Sequence, residues 1–209
     1  MVAVVDYGVG NLYSLLCSLR HIGAEAVVTC GEAELRAAER IILPGVGAFG
    51  DAAAKLRALG LDRLLRELAG LGKPLMGICL GMQLLFERGF EYGEHEGLGL
   101  IAGEVRPLAP QLAPGAKTPH MGWNSLRLRR PQDALVSGVS QGAFVYYVHS
   151  FYATRCEAAL VADSDAGGVL VPGIVRSGNV CGTQFHPEKS GETGLRIVSA
   201  FVKGEATAC

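Results

Sequence analysis

A cysteine between two glycines, Gly77-Ile-Cys79-Leu-Gly81, closes an apolar run and opens a helix-forming one. This is the pattern of a nucleophile elbow, in which a strained turn leaves no space for side chains around the reactive residue, so glycines flank it. At a helix N-terminus the dipole and free N–H groups favour thiolate over thiol, which makes Cys79 a candidate nucleophile. Such a nucleophile needs a base, and Thr183-Gln-Phe-His186-Pro-Glu188 offers one at the end of a predicted strand. Residues i and i+2 of an extended segment share a side, so Glu188 can hold the tautomer of His186 while His186 serves Cys79 as general base and acid. His21, His95, His120 and His149 have no acid in that arrangement.

Attack on a carbonyl also requires donors for the developing oxyanion. Pro44-Gly45-Val46-Gly47-Ala-Phe-Gly50 follows a predicted strand, and its flexible Gly45 to Gly47 backbone is expected to present one N–H, with the N–H of Leu80 as the second. Each such donor is worth about 10²–10³ in rate. The same segment formally fits a dinucleotide fingerprint. Pro44 at the strand exit, and the lack of an acid at a second-strand terminus about 20 residues on, argue against that. Gly8-Val9-Gly10 is a weaker match, with Tyr13 where a third glycine belongs. The six cysteines (Cys17, Cys30, Cys79, Cys156, Cys181, Cys209) form no C-x-x-C pair and sit mostly in apolar runs, as reduced core thiols do. No metal and no cofactor is expected.

These groups must be held by a framework, and the first half of the chain supplies an alternation of short β-branched runs with helical patterns. That is the signature of βαβ units on a parallel sheet. Strands are predicted at Val2 to Val5, Ala26 to Thr29, Arg40 to Leu43 and Pro74 to Ile78. Helices are predicted at Asn11 to Ile22, Glu32 to Ala38, Asp51 to Leu59 (with Asp51 as cap), Leu61 to Ala69 and Leu80 to Glu87. Beyond Gly97 the texture changes to Gly- and Pro-rich turns between short alternating strands at Glu104 to Arg106, Ser125 to Arg129 and Ala143 to Val148. Val169 to Arg176 and Asn179 to Phe185 read as a hairpin across Ser177-Gly178, Thr193 to Lys203 as a closing helix, and Gly204 to Cys209 as a frayed tail. The expected fold is α/β in three layers, a mostly parallel central sheet flanked by helices, with a smaller antiparallel or mixed sheet. Residues 1–203 form one domain.

Composition narrows the function classes. At 209 residues, 49% hydrophobic and 19% charged, the chain can bury a substantial core. Its net charge of -1 carries no like-charge run, so nucleic acids and anionic membranes are poor partners. Mean hydropathy is +0.28, yet no apolar stretch approaches the ~20 residues of a spanning helix. The start, Met1-Val-Ala-Val-Val-Asp6, lacks the basic region and apolar core of a secretory signal, so a cytoplasmic location is expected.

Taken together, Pro44-Gly-Val-Gly47, Gly77-Ile-Cys-Leu-Gly-Met-Gln83 and Gln184-Phe-His-Pro-Glu188 resemble, in chain order, the triad-type (class I) glutamine amidotransferases. Asp6-Tyr-Gly-Val-Gly-Asn11, Pro119-His-Met-Gly-Trp-Asn124 and Lys189-Ser190 are most similar to the glutaminase subfamily of imidazole glycerol phosphate synthases. The resemblance covers roughly Val2 to Val202. It implies hydrolysis of L-glutamine to L-glutamate and ammonia through a cysteine thioester. It further implies oxyanion amides at Val46–Gly47 and Leu80, and that the ammonia passes to a (β/α)₈-barrel cyclase subunit that forms imidazole glycerol phosphate and AICAR in histidine biosynthesis. It also implies substrate contacts from Gln83 and the backbones of Gly47, Ser150 and Phe151. Asn11, Met121, Trp123, Tyr146 and Lys189 become candidates for the cyclase interface or the coupling path. Trp123 also admits ordinary partial burial, His120 a structural role, and Gly122 a simple turn. Two rivals stay open: a glutaminase serving anthranilate or pyridoxal phosphate synthesis, against which Pro119 to Asn124 speaks, and a silent binding module, against which the intact Cys79, His186 and Glu188 speak.

Overall fold

A computed structural model describes residues 1–204. The first half runs β1 (Val2–Val5), α1 (Leu12–His21), β2 (Ala26–Thr29), α2 (Glu32–Ala37), β3 (Arg40–Leu43), α3 (Phe49–Ala58), α4 (Leu61–Gly70), β4 (Leu75–Ile78) and α5 (Leu80–Leu84). Next come β5 (Phe86–Gly89), β6 (His95–Glu96), β7 (Ile101–Pro107), β8 (His120–Ser125), β9 (Arg127–Leu128), β10 (Phe144–His149) and β11 (Phe151–Thr154). The chain ends with β12 (Leu160–Ala166), β13 (Val169–Ser177), β14 (Val180–Thr183) and α6 (Gly191–Lys203), capped by Gly204 in the left-handed region. The tail predicted from Gly204 onward otherwise lies outside the described residues.

The main sheet has eight strands in the order β2-β1-β3-β4-β14-β13-β12-β9, parallel from β2 to β14 and antiparallel beyond. Side chains alternate across each strand, so the sheet has two apolar faces. Ala3, Val5, Ile41, Leu43 and Leu75 pack with Leu35 of α2 and with the leucines of α3 and α4. Val2, Val4, Ile42, Met76 and Ile78 pack on the other side with Leu15 and Leu19 of α1 and Ile197, Val198 and Phe201 of α6. Helix α4 shows why this works: Leu61, Leu64, Leu65 and Leu68 make one stripe at helical spacing and all are buried, each stabilising the packed state by about 1.5–3 kcal/mol.

Two smaller sheets accompany the main one, rather than the single one expected. One is mixed and four-stranded, β11-β7-β5-β6, and the other is the β10-β8 ribbon. The helix predicted over Leu80 to Glu87 is only five residues long, because Phe86 leaves it to pair in parallel with Ile101. Helix α3 begins at Phe49, so Asp51 lies in its first turn and is not its cap. The free N–H of Phe49 is satisfied from a distance, by Glu91 Oε2 at 2.8 Å. Gly122 is an interior residue of β8 and not a turn. The β13–β14 hairpin turns at Gly178-Asn179, one residue later than expected, since Ser177 pairs with Val180.

Candidate active site

Strand β4 delivers Cys79 to the edge of a cavity of about 340 Å³, within the size range of small-ligand sites. The elbow is built as its glycines foretell. Cys79 has φ 54° and ψ -110°, a sparsely populated conformation for a side-chain-bearing residue that costs roughly 1–3 kcal/mol. Its N–H is pinned to the Thr183 carbonyl at 2.7 Å and its carbonyl accepts from the Gln83 N–H at 3.1 Å. A Cβ on Gly77 would lie 2.6 Å from the Cα of Met82, and one on Gly81 would run into the Leu43 carbonyl. Because both obstacles are backbone, Gly81→Ala is expected to lower unfolding stability by about 3 kcal/mol or more. Gly70→Ala, with open space at the end of α4, should change it by less than about 0.5 kcal/mol. Denaturant titration of both variants checks this, and equal midpoints would refute it.

With α5 so short, its dipole contributes little at Cys79, and the polar partners of the sulfur come from elsewhere. His186 hydrogen-bonds to Glu188 and lines the cavity beside Cys79. The His186 Nδ1 to Glu188 Oε1 distance is 2.8 Å, and both side chains are nearly inaccessible to solvent. A carboxylate only accepts here, so Nδ1 carries the proton and Nε2 is the nitrogen left for the sulfur. The pair is brought together by a 3₁₀ turn, Pro187–Lys189, and not by the extended geometry inferred from sequence. Burial pushes the His186 imidazolium down, but hydrogen bonds to Cys79 and Glu188 and their charges outweigh it and lift the group to about 9. By contrast, burial pushes the Cys156 and Cys181 thiols up to about 12, as inert core thiols. Cys79, Cys156 and Cys181 are buried, as expected of most of the cysteines, while Cys17 and Cys30 are exposed.

The cavity wall includes Val46, Gly47, Leu80, Gln83, Ser150, Phe151 and His186, so every proposed oxyanion and substrate residue reaches it. Gly47 has φ +102°, a conformation that suits glycine. The loop is anchored at its start by Tyr7, whose hydroxyl donates to the Pro44 carbonyl at 2.8 Å. Glu91 also lines the cavity and was missed from sequence. Its only signal lies in the fold, since the carboxylate that reaches the start of α3 comes from 42 residues away.

The ribbon sorts its residues by face. Trp123 pairs with Tyr146 across the strands, with ring centroids 6.0 Å apart, and Met121 lies two residues along from Trp123 on the same face. Met121 is 64% exposed, Trp123 57% and Phe144, also on this face, 59%, so Trp123 is a surface residue rather than a partly buried one. Lys189 Nζ stands 5.9 Å from the Tyr146 ring centroid. Asn11 is separate from this patch. It borders a small hollow shared with His186 and Glu188, behind the proposed triad.

The inner face carries His120, Tyr147 and His149. His149 Nδ1 donates to the Phe151 carbonyl at 2.9 Å, which leaves its Nε2 to accept from His120 Nδ1 at 2.8 Å. His120 Nε2 in turn accepts from Asn124 at 3.0 Å. Burial pushes both imidazoles down, His149 to about 3, so both are neutral in the folded chain. An unfolded histidine with an ordinary value of 6.5 binds a proton that native His149 refuses. Its contribution to stability is therefore complete above about pH 6.5 and is lost as pH falls from there toward about 3. Unfolding free energy is expected to drop by about 2 kcal/mol from His149 alone between about pH 7 and about pH 5. Equal denaturation midpoints at the two pH values would contradict this.

Cys79 at its elbow and His186 line one cavity of a parallel α/β fold, and Glu188 pairs with His186 from behind. The chain belongs to the class-I glutamine amidotransferase family, whose sequence profile matches residues 3–203. Within it, the chain is similar to imidazole glycerol phosphate synthase subunit HisH from Bacillus cereus, at 49% identity over 96% of this chain and 93% of that one. It is also similar to HisH from Oceanobacillus iheyensis, at 43% identity over 96% and 98%. Among solved structures, PurLQS from Thermotoga maritima matches with a TM-score of 0.76 at 23% identity, covering 97% of each chain. A glutamine amidotransferase crystal structure matches at 0.74 and 21%, covering 97% of this chain and 98% of that one. These two show a shared fold.

Proposed function

We propose that this chain is the glutaminase subunit of an imidazole glycerol phosphate synthase, acting in the cytoplasm as one domain over residues 1–203. The observation that carries the reading is Cys79 and His186 on one cavity wall with Glu188 hydrogen-bonded to His186, in a chain so similar to named HisH subunits. Among the described residues no helix is long and apolar enough to cross a membrane.

His186 takes the Cys79 proton as the sulfur attacks the side-chain amide carbon of glutamine. The oxyanion forms against backbone N–H groups of Val46 or Gly47 and of Leu80. Its collapse breaks the C–N bond, and His186 returns the proton to the departing ammonia. Water, deprotonated by His186, then attacks the thioester; the C–S bond breaks, glutamate leaves and the thiol is restored. Gln83 and the backbones of Gly47, Ser150 and Phe151 hold the substrate, and Glu91 supplies a negative charge for its α-ammonium. The exposed Met121, Trp123, Tyr146 and Lys189 face receives the barrel cyclase, with Asn11 coupling from behind the triad.

The test is glutamate release from glutamine by the purified chain, alone and with the barrel cyclase plus its phosphorylated ribonucleotide ligand. Strong stimulation by the partner is expected. Equal turnover with and without it would move the assignment to another amidotransferase, and no glutamate in either condition would overturn the triad.

A further inference from the structure

Gln184 is fully buried and, unlike Gln83, does not line the cavity, so its side chain has no route to substrate. A buried amide must nevertheless satisfy both its ends. Its Nε2 lies 3.8 Å from Cys79 Sγ and its Oε1 lies 3.0 Å from Gln83 Nε2. Which end faces the sulfur follows from the next link. Gln83 Nε2 is 2.9 Å from the Phe151 carbonyl, which can only accept, so that atom is a donor and the Gln184 atom it meets is the oxygen. The Phe151 carbonyl is itself fixed by His149, and His149 by His120 and Asn124. The Gln184 backbone is tied to the Gly173 carbonyl at 2.9 Å. Rotation of this amide by half a turn would place oxygen against sulfur and nitrogen against nitrogen.

We propose that Gln184 is a catalytic residue whose side-chain N–H donates to Cys79 Sγ and stabilises the thiolate, with Gln83 fixing the orientation of the amide. The inference rests on the reading of Cys79 as nucleophile. The sulfur has an opposing neighbour, the Val148 carbonyl at 3.9 Å, which receives a thiol proton but repels a thiolate. Of the titratable groups around it, Tyr7 is held above its ordinary range by burial and stays neutral, and His149 is pushed down to about 3. His186 supports the thiolate only while it holds its proton, and it must surrender that proton to ammonia. The amide of Gln184 does not titrate. It donates both when the sulfur attacks and when water expels it from the thioester.

The test removes the donor while keeping the core filled, with Gln184→Met and Gln184→Leu. The rate of iodoacetamide alkylation at Cys79 is followed against pH by mass spectrometry of its peptide, since Cys17 and Cys30 also react. The alkylation midpoint should rise by about one pH unit, and kcat for glutamine should fall about tenfold with KM changed less than about twofold. An unchanged midpoint in a folded variant would overturn the proposal, whatever happens to turnover, because packing alone does not set the ionisation of Cys79. Should both variants fail to fold, the side-chain amide protons of Gln184 in the unaltered chain, followed by NMR, should shift with the Cys79 ionisation; a resonance indifferent to it would overturn the proposal equally. Alkylation needs no glutamine turnover, so failure of the glutaminase reading appears separately, as absence of glutamate from the unaltered chain.

Discussion

Cys79→Ala is expected to abolish glutamine-dependent synthesis by the complex with the barrel cyclase, by on the order of 10⁴-fold or more, while synthesis from added ammonium salts continues. The size follows from the covalent mechanism: without Sγ there is no thioester, and the oxyanion donors and substrate contacts have no nucleophile to serve. The selectivity follows from position. Cys79 is buried beside the cavity, while Met121, Trp123 and Phe144 form the exposed face of the ribbon, so the substitution leaves the proposed cyclase-docking surface untouched. It also relieves no clash, since the left-handed backbone at residue 79 is imposed by the surrounding bonds to Thr183 and Gln83 and is no easier for alanine. Loss of both activities would show that Cys79 holds the fold together or that the partner is misassigned.

Glu188→Gln should cost about 10²–10⁴ in kcat/KM for glutamine, the range of general acid–base assistance. The carboxylate does two things for His186. It fixes the proton on Nδ1 across a 2.8 Å contact, and with Cys79 it holds the imidazolium stable against burial, up to about 9. A neutral amide can present its nitrogen to Nδ1 and reverse the tautomer, which aims an N–H at the sulfur in place of a lone pair. It also removes the charge that opposes desolvation, so the titration of His186 should move down in the variant. The pH profile of kcat/KM separates this from a packing defect, because a packing defect lowers the rate without displacing the profile. An undiminished rate would remove Glu188 from the mechanism.

Cys79 and Glu188 lie far apart in the chain and are brought near each other only by the fold, yet their types were evident in the sequence. The alternation of buried strands with helices in the first half was plain because β1, β3 and β4 are apolar on both faces and α4 carries its leucines at helical spacing. Glycines at 77 and 81 announced the elbow because local backbone geometry, with neighbouring backbone at van der Waals range, admits nothing larger. The His-Pro-Glu segment announced its pair even though a 3₁₀ turn, not a strand, brings the side chains together.

What escaped the sequence shares one physical cause. The early end of α5 depends on Phe86 finding Ile101, the start of α3 on a carboxylate from Glu91, and the strand character of His120 to Ser125 on β10 lying beside it. Each is settled by a partner distant in the chain, whose pairing energy outweighs the local preference of the residues themselves. The order of Gln184, Gln83 and the Phe151 carbonyl behind Cys79 is of the same kind. Local spacing by itself pointed to the proposed nucleophile, base and acid, because turn geometry and side-chain type act over a few residues. Only the tertiary structure decided which buried amides and imidazoles surround them, because hydrogen bonds in a low-dielectric interior must be completed by whatever the packed fold brings within reach.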